Sequence, residues 1–376
     1  MRLSHNGFET IPFDLSKKAT NKVWTRSVTG ALAVLILSLS VTAQQPANTR
    51  GYPPPGKLVD VGGWRIHLNC TGRNKPDAPT VVLEAGALGF SFDWSLVQPG
   101  VARFARVCSY DRAGHAWSDP GPAPRTMRQV AYELHTALAN LNVKPPYVLV
   151  GHSLGGLRVR AFASQYPKEV VGMVLIDSAH EDSTRNFKGK RVRSRELSEG
   201  RTIPPIQTSI SVADKTLSAE ERQRIEKFLK RTGPPKIEVP FNRMTPRIQK
   251  MRLWALAQPQ HYASNNDNSF FEAYTGEEYA EMFSARKAED YPLGDLPLIV
   301  LTRGKSELPD TEEGRQDNEE RKREQLDLLR LSRNNKQIIA EASGHDIQLE
   351  DPALVIDAVR EVVDAILRHR KLMPPR

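Results

Sequence analysis

From Leu58 onward, short apolar runs rich in β-branched residues recur along the chain, at Thr80–Glu84, Arg106–Tyr110, Tyr147–Val150, Val170–Ile176, Leu298–Thr302 and Gln337–Ala340. Amphipathic helix-like stretches such as Met127–Leu141 and Ala353–Arg368 separate several of them. Strands buried on both faces read as continuous apolar segments, and their alternation with helices predicts a mostly parallel sheet flanked by helices, an α/β class. The alternation breaks once. Between Ala179 and Pro292 about a hundred residues carry no strong strand signal, many charges, and helical patches at Ala219–Lys230 and Gln249–Ala257. An insertion of that length predicts a mainly helical cap over one edge of the core. Six of the eleven residues from Arg185 to Arg195 are basic, a run that reads as a solvated surface segment ahead of an anion site.

Upstream, the longest apolar run is Val28–Val41, preceded by Lys17, Lys18, Lys22 and Arg26 and followed by Val41-Thr42-Ala43. A basic region, an apolar stretch of this length and small residues at the cut predict a secretory signal over 1–43. An uncleaved N-terminal anchor, with membrane association through residues 28–41, is the alternative; the run is short of the ~20 apolar residues of a comfortable span. A Pro-rich linker over 44–57 then leads into a core built from 58–178 and 291–376, with the cap at 179–290. The expected location is periplasmic or extracellular.

Composition adds little to this plan. At 39% hydrophobic and 26% charged, the chain is neither disordered nor collagen-like. The formal charge of +9 is scattered rather than gathered in one tract, so nucleic acid is not an expected partner. The sequence says nothing of oligomeric state. Cys70 and Cys108 both sit in or beside strand-like runs; in an exported protein they form a disulfide candidate, and otherwise two buried thiols.

The chemistry is concentrated at Tyr147-Val-Leu-Val-Gly-His-Ser-Leu-Gly-Gly156, an apolar strand running directly into G-x-S-x-G and then a helix-like segment. That setting predicts a nucleophile elbow with Ser153 at its tip, and glycines at 151 and 155 because side chains there would collide with the turn. A serine hydroxyl needs a base oriented by a carboxylate, and with an elbow the acid and then the histidine follow in the chain. His180, His261, His345 and His369 come after Ser153, and His345 lies between the last predicted strand and the final amphipathic helix, where the elbow also emerges. No zinc-ligand spacing and no Gly-rich phosphate loop appear.

Five segments in order, Val82-Leu-Glu-Ala-Gly-Ala-Leu-Gly89, Tyr110-Asp-Arg-Ala-Gly-His-Ala-Trp-Ser118, Gly151-His-Ser-Leu-Gly-Gly156, Val174-Leu-Ile-Asp-Ser178 and Ser343-Gly-His345, give the chain its resemblance to the α/β-hydrolase superfamily. The resemblance implies an eight-stranded sheet with its site at the C-terminal edge beneath the cap, Ser153 as nucleophile, His345 as base, and no cofactor or metal. It maps the oxyanion hole to the backbone N–H groups of Leu154 and Ala87, although Glu84-Ala85 replaces the usual histidine of that arm. Asp111 and Arg112 match a mainly structural turn, and Ala116 departs from its common second glycine. The family's strand order brings Cys70 near Cys108. The acid stays open: Asp177 after the sixth strand, Glu307 after the seventh, then Asp310.

The expected function is a serine hydrolase of small-molecule carboxylic esters acting through an acyl-enzyme. Amidase, aminopeptidase or carbon–carbon hydrolase work by the same triad is the alternative, and a non-catalytic ligand-binding or envelope interaction protein is the alternative of another class. Apolar residues of the insertion, Met251, Leu253, Trp254 and Phe270, suggest a lining for lipid or aromatic esters, against a plain packing role.

Overall fold

A computed structural model describes residues 51–75, 77–187, 189–210, 219–263 and 274–372. Eight strands form one sheet: β1 Lys57–Asp60, β2 Arg65–Thr71, β3 Thr80–Glu84, β4 Val107–Asp111, β5 Tyr147–His152, β6 Val170–Ile176, and, beyond the insertion, Leu298–Arg303 and Asn335–Ala340. The insertion holds two further strands, β7 Thr184–Phe187 and β8 Lys190–Arg193, so the last two strands of the sheet are β9 and β10. The order is β1-β2-β4-β3-β5-β6-β9-β10, with β2 antiparallel to both neighbours and all later pairs parallel.

Along β5 the side chains alternate between two buried layers. Tyr147 and Leu149 join Trp64, Phe162 and Leu138 on one face, while Val148 and Val150 join Trp94, Val359 and Val363 on the other. A strand wet on neither face has no polar position to show, which is why it reads as an unbroken apolar run. The covering helices begin where short polar side chains can satisfy their free N–H groups. After the short α1, Gln98–Val101, Thr126 caps α2, Met127–Asn140, and Asp351 caps the last helix, Pro352–Leu367, which carries Pro at its first turn. The helix after the elbow is α3, Leu154–Gln165. Cys70 and Cys108 face each other in the β2–β4 register and are joined by a disulfide.

The insertion contains the expected helices, Ala219–Thr232 and Pro246–Leu256 among them, with Thr275–Ala288 closing it. It also contains the β7–β8 hairpin, which the sequence reading placed in a segment without strands. Its basic run is not simply solvated: Arg191 and Arg193 pair with Asp317 and Glu320 of the helix Glu312–Asp327, and Arg195 pairs with Asp182. A buried ion pair fastens the insertion to the loop that follows β3, Arg252 to Asp93, and another joins the insertion's two ends, Arg286 to Glu181. Among the described residues no helix is long and apolar enough to cross a membrane; the Val28–Val41 run lies outside them.

Candidate active site

β5 ends at the sheet's C-terminal edge, and the chain reverses at Ser153 into α3. Ser153 has φ 52° and ψ −125°, a conformation that costs an L-residue about 1–3 kcal/mol and persists only where neighbours impose it. The neighbours do so through the main chain. Ser153 N–H donates to Ile176 O at 3.0 Å, and Ser153 O accepts from Ala179 N at 2.9 Å and Gly156 N at 3.0 Å. A Cβ on Gly151 would lie 2.6 Å from Gly155 O, and one on Gly155 would lie 2.6 Å from Glu84 O, so neither position tolerates a side chain.

The loop after β10 carries His345 to the same edge. Its Nδ1 lies 2.5 Å from Asp177 Oδ2, at the end of β6. A carboxylate only accepts, so Nδ1 carries the proton and Nε2 keeps its lone pair. Asp177 is fully buried. Burial alone would raise its carboxyl, but Arg321 at 2.8 Å, the His345 hydrogen bond and Arg303 at 3.6 Å prevail and hold it well below the usual carboxylate range. Arg321 also donates to the Asp177 backbone carbonyl at 2.6 Å.

Of the three candidate acids, then, only Asp177 meets the imidazole. Glu307 instead accepts from the His345 backbone N–H at 2.9 Å, and Asp310 pairs with Arg315 at the surface at 2.6 Å. Glu307 thus fixes the main chain of the histidine rather than its ring. A second imidazole, His152, supports the same loop: its Nε2 donates to His345 O at 3.0 Å and its Nδ1 faces Gln348 Nε2 at 3.4 Å. Burial and the adjoining His345 push His152 down to about 4, so it is neutral in this role.

The arm after β3 is held in an unexpected way. The Glu84 carboxylate, at the end of β3, is buried against Tyr110 Oη and Arg112, the latter at 2.8 Å. The same guanidinium donates to Ala85 O at 3.0 Å, Gly86 O at 2.9 Å and Gly89 O at 3.3 Å, gathering the carbonyls on either side of Ala87. Asp111 adds a second brace through Ser91 N–H at 2.7 Å and His67 at 2.7 Å. Ala116, in place of the second glycine, takes φ 42°, so the turn keeps its left-handed step without the glycine.

Ser153, Leu154, Ala87 and His345 all line one cavity of about 400 Å³. Leu154 is the first residue of α3, so its N–H has no intrahelical acceptor. Met251, Leu253 and Trp254 are not in this wall. Met251 and Trp254 pack instead with Phe90, Phe92 and Trp117, and Phe270 lies outside the described residues. The wall around Ser153 is polar: the hairpin supplies Thr184 and Arg185, and the helix Glu312–Asp327 supplies Asp317, Glu320, Arg321 and Glu324. Sequence reasoning singled out neither Arg321 nor Glu324, since both lie in a run of mixed charges with no motif to distinguish them. Among the described residues no cluster of three His, Cys, Asp or Glu is placed to hold a metal ion.

Burial raises the Glu324 carboxyl to about 7. A carboxyl whose folded value is raised contributes stability that is present at low pH and lost as pH climbs through that value. Glu324→Gln, which cannot ionise, is therefore expected to be more stable than the wild type at pH 8 by about 2–3 kcal/mol and no more stable at pH 4. Denaturant midpoints at the two pH values check this.

A family model described as the alpha/beta hydrolase fold matches residues 79–352. The chain belongs to the α/β hydrolase fold family. An AB hydrolase superfamily protein of Gibberella zeae is 24% identical over 306 residues, covering 78% of this α/β hydrolase and 89% of that protein. A probable transporter of Hormonema carpetanum is 33% identical over 129 residues, covering 33% of this chain and 18% of that protein. The chain thus spans well under two thirds of that second relative. Among solved structures, a thermophilic esterase from Thermogutta terrifontis superposes with a TM-score of 0.54 at 19% identity, covering 83% of this chain and 99% of the esterase. At that identity the likeness speaks to the fold.

Proposed function

We propose that this α/β hydrolase cleaves carboxylic esters by two-step acyl transfer. The observation that carries the reading is a serine at a strained elbow sharing a cavity with an imidazole whose far nitrogen is held 2.5 Å from a buried, ionised aspartate. Ser153 Oγ attacks the ester carbonyl while His345 Nε2 takes its proton, and Asp177 stabilises the imidazolium that forms. The N–H groups of Leu154 and Ala87 receive the oxyanion, each worth roughly 3–4 kcal/mol in such a site. His345 then returns the proton to the departing alcohol, and the same nitrogen activates the water that releases the acid. We further propose that residues 1–43 direct export and that no metal or organic cofactor takes part.

The test is hydrolysis of a chain-length series of p-nitrophenyl esters by the protein and by Ser153→Ala. Turnover is expected to fall at least ~10³-fold in the variant with its fold intact. Equal rates in the two proteins would end the reading.

A further inference from the structure

Around the Ser153 cavity, charged side chains answer one another. Glu320 takes Thr184 Oγ1 at 2.6 Å and Arg193, Asp317 takes Arg191 at 2.6 Å, Glu307 takes the His345 amide, and Arg303 and Arg321 turn to Asp177. Glu324 breaks the pattern. It is 8% exposed, lines the cavity together with the nucleophile, and has no hydrogen bond or ion pair among the described residues. Its oxygens are not among the fully enclosed polar atoms, so the carboxyl meets the cavity's contents and, among the described residues, no protein donor, and a group that enters the cavity and displaces water there can make the hydrogen bond the protein leaves unmade.

We propose that Glu324 is the recognition point for a neutral hydroxyl group on the substrate, so that the cavity selects hydroxylated esters over their plain alkyl counterparts. This rests on the reading that the Ser153 cavity holds the substrate. Charge argues for a neutral group. Arg321 stands one turn earlier on the same helix, and Arg193 of the hairpin and His180 of the loop after β6 act on Glu324 from across the wall. Arg185 and Arg303 line the same space, and its other carboxylates, Glu307, Asp317 and Glu320, are engaged by the His345 amide, Arg191 and Arg193, so an ammonium group at Glu324 would meet guanidinium on several sides. A hydroxyl donates to the carboxylate and accepts from the carboxylic acid, and so serves a group that titrates near neutrality in both of its forms. An alkyl chain in its place would leave the carboxyl buried against hydrocarbon. Sites built to hydrogen-bond a substrate hydroxyl reject the analogue lacking it far more strongly than apolar pockets reject a missing methylene.

The experiment compares matched pairs with the full chain: p-nitrophenyl butyrate against 3-hydroxybutyrate, hexanoate against 6-hydroxyhexanoate, and butyl butyrate against the butyrate monoester of 1,4-butanediol. A preference in kcat/KM of at least ~10-fold for one hydroxylated member is expected in the wild type. It should be retained in Glu324→Gln and fall to near unity in Glu324→Leu. Calorimetric binding of the methyl ester pairs to Ser153→Ala, with and without Glu324→Leu, reads the same preference without turnover. A preference seen in binding, with no Ser153-dependent hydrolysis, keeps the recognition claim and removes the catalytic one. Equal handling of each pair in both measurements, a preference that survives Glu324→Leu, or a stronger preference for p-nitrophenyl 6-aminohexanoate overturns it.

Discussion

Asp177→Asn is expected to lower kcat by about 10³–10⁴-fold while the protein stays folded. An amide can offer its N–H to His345 Nδ1 and so stabilise the wrong tautomer, with the proton on the nitrogen that should receive one from Ser153. It also withdraws the negative charge that would balance the imidazolium. The variant leaves Arg321 and Arg303 beside a neutral amide, so some stability is lost as well, and circular dichroism or a denaturant curve must accompany the kinetics. Glu307→Gln gives the contrast. Its hydrogen bond goes to the His345 main chain, at 2.9 Å, and an amide oxygen can still accept it, so a change below ~10-fold is expected. If Glu307→Gln matched Asp177→Asn in its loss, the assignment of the acid would fall.

The second large effect is expected at Arg112. Its guanidinium is buried and donates to Glu84 and to three carbonyls of the arm that carries Ala87. Arg112→Met keeps much of the volume but leaves Glu84, 1% exposed, without its closest cation. Removing one partner of a buried pair typically costs about 3–5 kcal/mol, a large share of a domain's margin of about 5–15 kcal/mol. The folded fraction should also turn over more slowly, by about 10²-fold, because the Ala87 N–H proposed as an oxyanion donor is no longer held in place. Arg112→Lys restores the charge without the planar fork and should recover more of the stability than of the rate. Chemical denaturation together with kcat at a permissive temperature separates the two losses. A Met variant as stable as the wild type would show that the arm is held by something else.

The parts of this molecule legible in the sequence were those whose signal is local. Buried strands such as Val148–Val150 have one possible apolar reading, and the elbow is written in consecutive residues because strand, glycine, serine and helix must adjoin. The carboxylate that meets the His345 imidazole was not legible in this way. Asp177 and Glu307 both follow sheet strands, and which carboxylate meets the imidazole depends on the approach of the loop after β10, a tertiary fact. The β7–β8 hairpin escaped because its strands are polar, with Thr184-Arg185 facing Val192-Arg193, and so lack the alternation that marks a half-buried strand. Its one usable cue was Gly189, which takes φ 76° in the turn. The helix Glu312–Asp327 hid for a similar reason. It is charged nearly all round, and only Thr311 as cap with Glu312 and Glu313 in the first turn announced it.

The loops that carry Ser153, Asp177 and His345 are tied together at the sheet edge: along the main chain Ser153 N–H donates to Ile176 O and Ala179 N–H to Ser153 O, and the His152 side chain donates to the His345 carbonyl. None of these joints passes through the hairpin or the helices of the insertion. The helix Glu312–Asp327 belongs to both sides of the cavity's wiring, since Arg321 holds Asp177 while Glu324, three residues on, lines the wall. The hairpin makes none of the sheet-edge ties, so sequence drift at Thr184 and Arg185 can reshape the cavity wall while Ser153, Asp177 and His345 keep their register.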